Sequence, residues 1–107
     1  MTFGVNITKQ AENDLHSVYE YIAYDLQSSI NAAGQLSRLE KAILSLDSMP
    51  SRYKLYEKEP WKSRGLHVMP VDNYLVFYIV DPQLREVNIL RVMYGGRNVE
   101  MQLEEKE

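Results

Sequence analysis

The stretch Tyr74-Leu75-Val76-Phe77-Tyr78-Ile79-Val80 is apolar at seven consecutive positions. A strand with one face in water alternates polar and apolar residues. An unbroken run of this length reads instead as a central strand covered on both faces. On its N-terminal side, Pro70-Val71-Asp72-Asn73 reads as a turn and Leu66-His67-Val68-Met69 as a neighbouring strand. On its C-terminal side, Asp81-Pro82 opens a connection and Val87 to Tyr94 forms a further strand that runs into Gly95-Gly96. Such a sheet needs a helical layer on at least one face.

The first half of the chain supplies that layer. Phe3, Val5 and Ile7 alternate with Gly4 and Asn6, the period-two pattern of a half-buried strand. Thr8 stands where a helix N-cap belongs. Behind it Ala11, Leu15, Val18, Tyr19, Ile22 and Leu26 recur at spacings of three and four, which predicts a helix over 9–26. Ser28 and Ser29 interrupt the pattern. Ala33, Leu36, Leu39, Ile43 and Leu46 then predict a second helix from Ile30 to Asp47, stopped before Met49-Pro50 because a residue preceding proline avoids the helical region. So short a connection folds the two helices into an antiparallel hairpin. The expected architecture is α+β in the order β-α-α-β-β-β: an N-terminal strand, then a helical hairpin packed on one face of a mostly antiparallel sheet. A single domain over 1–98 is expected, with an acidic tail over 99–107.

Composition narrows the class. The chain has 107 residues, 45% apolar and 25% charged, as in an ordinary one-domain globular protein. No run of 18 apolar residues is present to span a membrane, and the opening residues do not resemble a signal peptide. With no cysteine, disulfides, thiolate nucleophiles and zinc–thiolate sites are excluded. A small cytoplasmic protein is expected.

Charge is unevenly placed. The total is −3, yet residues 52–64 hold Arg52, Lys54, Lys58, Lys62 and Arg64 against only Glu57 and Glu59. The same segment carries Tyr53, Tyr56 and Trp61. Cations interleaved with aromatic rings suit a nucleic acid or acidic partner, and they equally suit a solvated connection with Trp61 closing the end of a core.

Candidate chemistry is sparse. His16 lies off the apolar stripe of the first helix and is expected to face solvent. His67 is out of phase with Leu66 and Val68, so it projects from the other face of its strand as a half-exposed histidine or as a general acid or base. No phosphate loop, metal-spaced carboxylate cluster or Ser/His/Asp set is present, so no metal or cofactor is expected. The segment Arg91-Val92-Met93-Tyr94-Gly95-Gly96-Arg97-Asn98 sets Tyr94 and Arg97 at a strand end, where a phosphate could be met, although a plain turn explains them as well. Arg91, inside an apolar strand, reads as a paired structural charge.

The chain resembles the RelE/ParE superfamily of bacterial toxins from type II toxin–antitoxin modules over about residues 3–98. The resemblance rests on Ala11-Glu12-Asn13-Asp14-Leu15 with Tyr19-Glu20-Tyr21-Ile22-Ala23, on Ala32-Ala33 with Leu44-Ser45-Leu46 and Met49-Pro50, and on Asn73-Tyr74-Leu75-Val76-Phe77-Tyr78. Its most specific element is Val87 through Asn98. It implies a growth inhibitor neutralised by a cognate antitoxin, with operator DNA contacted only through that antitoxin. RelE-like members cleave messenger RNA on the ribosome without a metal; here Arg64, His67, Tyr94 and Arg97 would be the catalytic candidates. ParE-like members bind DNA gyrase, and Arg52, Lys54, Lys58, Trp61 and Lys62 would then contact the target. RelE-like proteins typically carry arginine where Leu75 stands, and they tend to be strongly basic. Leu75, the acidic total and the long hairpin therefore lean towards ParE.

Overall fold

In a computed structural model, residues 2–96 and 99–104 are described. The elements run β1 (Gly4–Ile7), α1 (Lys9–Glu20), α2 (Ser29–Leu44), β2 (Leu66–Val71), β3 (Tyr74–Asp81), β4 (Glu86–Tyr94) and α3 (Val99–Glu104). The four strands form one sheet in the order β1-β4-β3-β2. β2–β3 and β3–β4 are antiparallel, and β1 joins β4 in parallel. The α+β architecture with a hairpin over a mostly antiparallel sheet is as the sequence predicts.

Local chemistry explains most boundaries. The Thr8 hydroxyl accepts from the Ala11 amide at 3.2 Å and donates to the Ile89 carbonyl at 2.7 Å, so one side chain both caps α1 and ties it to β4. The Ser28 hydroxyl caps α2 through the Asn31 amide at 3.3 Å. The first helix is shorter than the expected 9–26. Regular α-helix ends at Glu20, and Tyr21–Asp25 winds as π-helix, which turns the apolar stripe out of register and leaves Leu26 exposed. On α2 the inward face is Ala32, Gln35, Leu39 and Ile43, so Ala33, expected inside, is exposed. Its α-helix stops at Leu44, followed by a 3₁₀ turn over Ser45–Asp47. Met49 escapes helical geometry before Pro50 by taking a left-handed φ of 48°.

Pro70 and Val71, expected in a turn, belong to β2. β2 is the sheet's outer strand, where a proline without an N–H can be placed. The turn itself is only Asp72-Asn73, with Asp72 at φ 55°.

Both faces of β3 are covered. Ala11, Leu15, Leu39, Ile43 and Leu46 pack from the hairpin onto Met69, Val76, Tyr78, Val87, Ile89 and Val92. On the opposite face Phe77, Leu66, Val68 and Met93 form a second core with Trp61, and Tyr56, Val99 and Leu103 pack against it. The 52–64 segment and α3, which opens the expected tail, are thus the sheet's second cover. The register shifts between Phe77 and Tyr78: Phe77 pairs with Arg91 and Tyr78 with Ile89, leaving Leu90 as a bulge. The extra residue changes the phase of β4, so Val87, Ile89 and Val92 all join the core beneath the hairpin.

Candidate functional site

Beyond Ile89 the edge of β4 loses its β1 partner. Asp14 on α1 takes over: its carboxylate accepts from the Val92 amide at 2.9 Å and from Arg91 Nε at 2.8 Å and Nη2 at 3.2 Å. Arg91 Nη1 donates to the Gln102 carbonyl at 2.8 Å. One guanidinium therefore joins α1, β4 and α3, with both charged side chains only 12–13% exposed. Arg91 is the paired structural charge the sequence suggests.

Next to this junction lies an open cleft of about 760 Å³ between the hairpin and the Tyr74/Tyr94 end of the sheet. Tyr21, Tyr74, Tyr94, Asn31, Arg38 and Asn73 are among the residues that line it. Tyr74 and Tyr94 meet edge to face with centroids 5.8 Å apart. Burial, and then the neighbouring Tyr21 and Tyr94 phenols, push the Tyr74 hydroxyl above its ordinary pKa. Asp72 fixes the wall opposite α1 by accepting from Arg38 Nε at 2.8 Å and Gln35 Nε2 at 3.0 Å, which lowers its carboxyl pKa. Of these, only Tyr94 is marked in the sequence, by its place at the strand end before Gly95-Gly96. The signal for Tyr21 was hidden because helical periodicity continues through it, and the π-turn that presents it has no sequence mark we can name.

Of the residues proposed for nuclease chemistry, His67 and Tyr94 are not neighbours. Tyr94 pairs with Tyr74, whereas His67 pairs with Tyr78 on the far side of β3. Four residues along a strand and two strand spacings across place their Cα atoms ~16 Å apart. His67 is also engaged: its ring stacks on Tyr78 at 5.1 Å, and Nδ1 lies 2.8 Å from the Tyr53 carbonyl. A carbonyl only accepts, so Nδ1 is the donor of this bond. Arg64 is exposed on the turn before β2, and Arg97 lies outside the described residues. His16 faces solvent, as expected, 3.8 Å from Glu20.

The basic segment is partly spent within the fold. Arg52 Nη1 donates to the Ser48 carbonyl at 2.6 Å and the Met49 carbonyl at 3.1 Å, closing the C-terminal end of the α2 region, and its guanidinium lies 4.9 Å from the Tyr53 ring centroid. Lys58 pairs with Glu100 at 2.7 Å, which raises its pKa. Trp61 is 8% exposed, set edge to face against Tyr56, which meets Phe77 likewise. Lys54, Lys62 and Arg64 are exposed. Backbone bonds from Tyr56 to Leu66 and from Val68 to Lys54 lay residues 54–56 along the outer edge of β2 as a short extra strand.

Among the described residues, no group of three or more His, Asp or Glu could hold a metal ion, and no helix is long and apolar enough to cross a membrane.

Solved structures share this arrangement. The chromosomal ParDE TA system from P. aeruginosa superposes with a TM-score of 0.71 at 17% identity, covering 87% of this chain and 96% of that one. The toxin–antitoxin complex RelBE from Mycobacterium tuberculosis gives 0.62 at 24% identity, over 88% and 99%. A mutant of the E. coli toxin RelE in the free state gives 0.64 at 12% identity, over 95% and 93%. At such identities the likeness is one of fold. No curated protein matches the sequence significantly. The sequence itself matches, over residues 5–99, the family described as ParE toxin of type II toxin–antitoxin system, parDE. That match runs from β1 through the end of the sheet and takes in the Asp14–Arg91 junction and the aromatic cleft, so the chain belongs to the ParE toxin family of type II toxin–antitoxin systems.

Proposed function

We propose that this toxin arrests growth by binding DNA gyrase, as ParE-like members do, and that a cognate antitoxin neutralises it. The observation that carries the reading is the engagement of the His67 imidazole by Tyr53 and Tyr78, at a register position four residues along β3 and one strand beyond it from Tyr94. General acid–base cleavage of RNA needs both groups within hydrogen-bond reach of one phosphodiester, and here Val76 and Tyr78, buried under the hairpin, occupy the β3 positions between them. The acidic total of −3 likewise disfavours docking on ribosomal RNA. In this reading Lys54 and Lys62 approach the target, flanked by Arg52 and Lys58, while Trp61 holds their backbone from beneath. Operator DNA is contacted only through the antitoxin.

The second reading, a metal-independent mRNA endoribonuclease, is favoured by one feature, the 46% exposed Tyr94 phenol at the end of β4. Induction of the chain in cells separates the two. The gyrase reading expects loss of negative supercoiling and a DNA-damage response with messenger RNA intact. New codon-spaced cleavages in primer extension on translated messages overturn it.

A further inference from the structure

α3 has six residues, too few to hold a helix in water without support. Its support is the second face of the sheet. Val99 and Leu103, one turn apart on the same side, pack against the core that holds Phe77, Met93 and Trp61. Arg91 Nη1 donates to the Gln102 carbonyl at 2.8 Å. Glu100 meets Lys58 Nζ at 2.7 Å, with the Lys58 and Glu100 side chains 59% and 45% exposed. An ion pair so open to water contributes little to stability, so another carboxylate can take the place of Glu100 at small cost.

Charge marks what lies against what. Residues 99–107 carry four glutamates against Lys106, a net −3, and residues 52–64 carry five cations against two glutamates, a net +3. The chain thus lays an acidic amphipathic helix of its own on its basic segment. Lys54, Lys62 and Arg64 of that segment are exposed, whereas Lys58 is spent on Glu100. A segment held by one turn of apolar contact and an exposed pair belongs to the least stable part of a fold.

We propose that α3 is a cis occupant of the target surface: it lies where an acidic amphipathic element of the target binds, and it competes with that element for Lys58 and for the apolar strip over Phe77 and Met93. This deepens the gyrase reading above and rests on it. Val99, Leu103 and Glu100 stand in for the apolar side chains and the carboxylate that the target supplies. Release of α3 returns Lys58 to the basic surface beside Lys54 and Lys62, so the free toxin is held below its full affinity.

The test is isothermal titration of the full chain with gyrase, with loss of supercoiling followed alongside, for wild type, Glu100→Gln, Leu103→Ser and Lys58→Gln. Glu100→Gln breaks only the exposed clip and should tighten binding about two- to fivefold, the range an exposed ion pair spans. Leu103→Ser loosens the whole helix and should tighten binding further, by about tenfold. Lys58→Gln also frees the clip but removes the cation the target needs, so it should bind more weakly than Glu100→Gln. Amide hydrogen exchange reads the same event in the wild type: α3 amides should exchange faster in the gyrase complex than in the free toxin, while those of β3 stay protected. Should Leu103→Ser melt early, Glu100→Gln and the wild-type exchange still decide.

Unchanged or weaker binding by Glu100→Gln overturns the proposal and makes α3 a fixed cover, with the gyrase reading intact. So do α3 amides that gain protection in the complex, or a Lys58→Gln variant that binds as tightly as Glu100→Gln. Absence of gyrase binding in the wild type and in every variant overturns both readings.

Discussion

The basic segment 52–64 and the hairpin tip put the same side-chain types to opposite uses. In the segment the aromatics point inward: Trp61 is buried and Tyr56 bridges it to Phe77. Its cations stay outside, with Arg52 and Lys58 bound to groups of the same chain. At the tip the aromatics are presented to solvent, and the charged residues lining the cleft below it, Asp14 and Arg38, are neutralised internally. The cause is topological. β3 is apolar on both faces, but the chain has only one helical hairpin, so the connection to β2 must cover the second face with its own rings. At the tip Ile22 is buried in the hairpin core, while Tyr21, Tyr24, Leu26 and Ile30 have no layer over them and stay exposed. An aromatic residue near a cation is therefore no sign of a ligand surface until one knows which layer lacks a cover.

Removing a ring from each region is the most direct way to break this contrast. Trp61→Ala should destabilise the fold by about 3–5 kcal/mol, since it deletes the centre of the second core and leaves Tyr56 and Phe77 facing a void. Urea denaturation measures it. An effect under 1 kcal/mol would return Trp61 to the surface. Tyr24→Ala, by contrast, removes a ring that is 71% exposed and should fall within about 0.5 kcal/mol of wild type.

Next in size is Asp14→Ala, expected to cost about 3 kcal/mol. It strands the sheltered Arg91 guanidinium and unpairs the Val92 amide together, and breaking a buried ion pair from one side falls in the range of about 3–5 kcal/mol. The second substitution Arg91→Met should recover part of the loss by removing the unpaired charge. A thermal melt of the double variant no better than that of Asp14→Ala would mean that Asp14 acts through the Val92 amide alone.

How much of this was legible in the sequence follows from what kind of signal each feature leaves. The β3 run, the Thr8 cap and the stripe of α1 down to Ile22 are local patterns, and each stands where expected. Arg91 could be read as paired from its apolar surroundings, although its partner Asp14, 77 positions away, could not. Ala33 fits the stripe of Leu36, Leu39 and Ile43 by spacing, whereas the chain packs Ala32 and Gln35 inward, Gln35 being anchored on Asp72. Of the candidate site residues, Tyr94 lines a cleft, His67 is engaged by Tyr53 and Tyr78, and Trp61 is buried; strand register and layer cover decided all three, and neither is encoded in a short motif. The bulge at Leu90 and the π-turn at Tyr21–Asp25 are register events without a residue signature.

A smaller effect probes how the basic segment is attached. The Tyr78 hydroxyl donates to the Pro50 carbonyl at 2.6 Å, beneath the start of that segment. Tyr78→Phe leaves a buried carbonyl unpaired and should cost about 1–2 kcal/mol. Burial pushes the Tyr78 pKa from 10.0 up to about 12. Because the folded value is the higher one, the stabilisation is complete below pH 10 and is lost as pH rises from there through 12. Denaturant midpoints of wild type and Tyr78→Phe should therefore converge over that window. Parallel curves would mean that the phenol titrates alike folded and unfolded.

The smallest expected change concerns the cleft wall. Asp72 is held by Arg38 and Gln35, and these hydrogen bonds lower its pKa. With the folded value depressed, the contribution is present above the ordinary 3.8 and fades as pH falls below it through the folded value. The group is open to solvent, and exposed pairs contribute little to stability, so Asp72→Asn should leave the melting temperature near that of wild type. Its effect should appear instead in position. The Asp72-Asn73 turn carries Tyr74, and the Asn73 carbonyl accepts the Gly95 amide at 2.9 Å just past Tyr94. Loosening the clasp on α2 should therefore shift the NMR resonances of Tyr74 and Tyr94 while those of Trp61, across the sheet, stay fixed. Equal shifts at Trp61 would show that the two regions move as one, and the contrast between them would then be one of composition without mechanical independence.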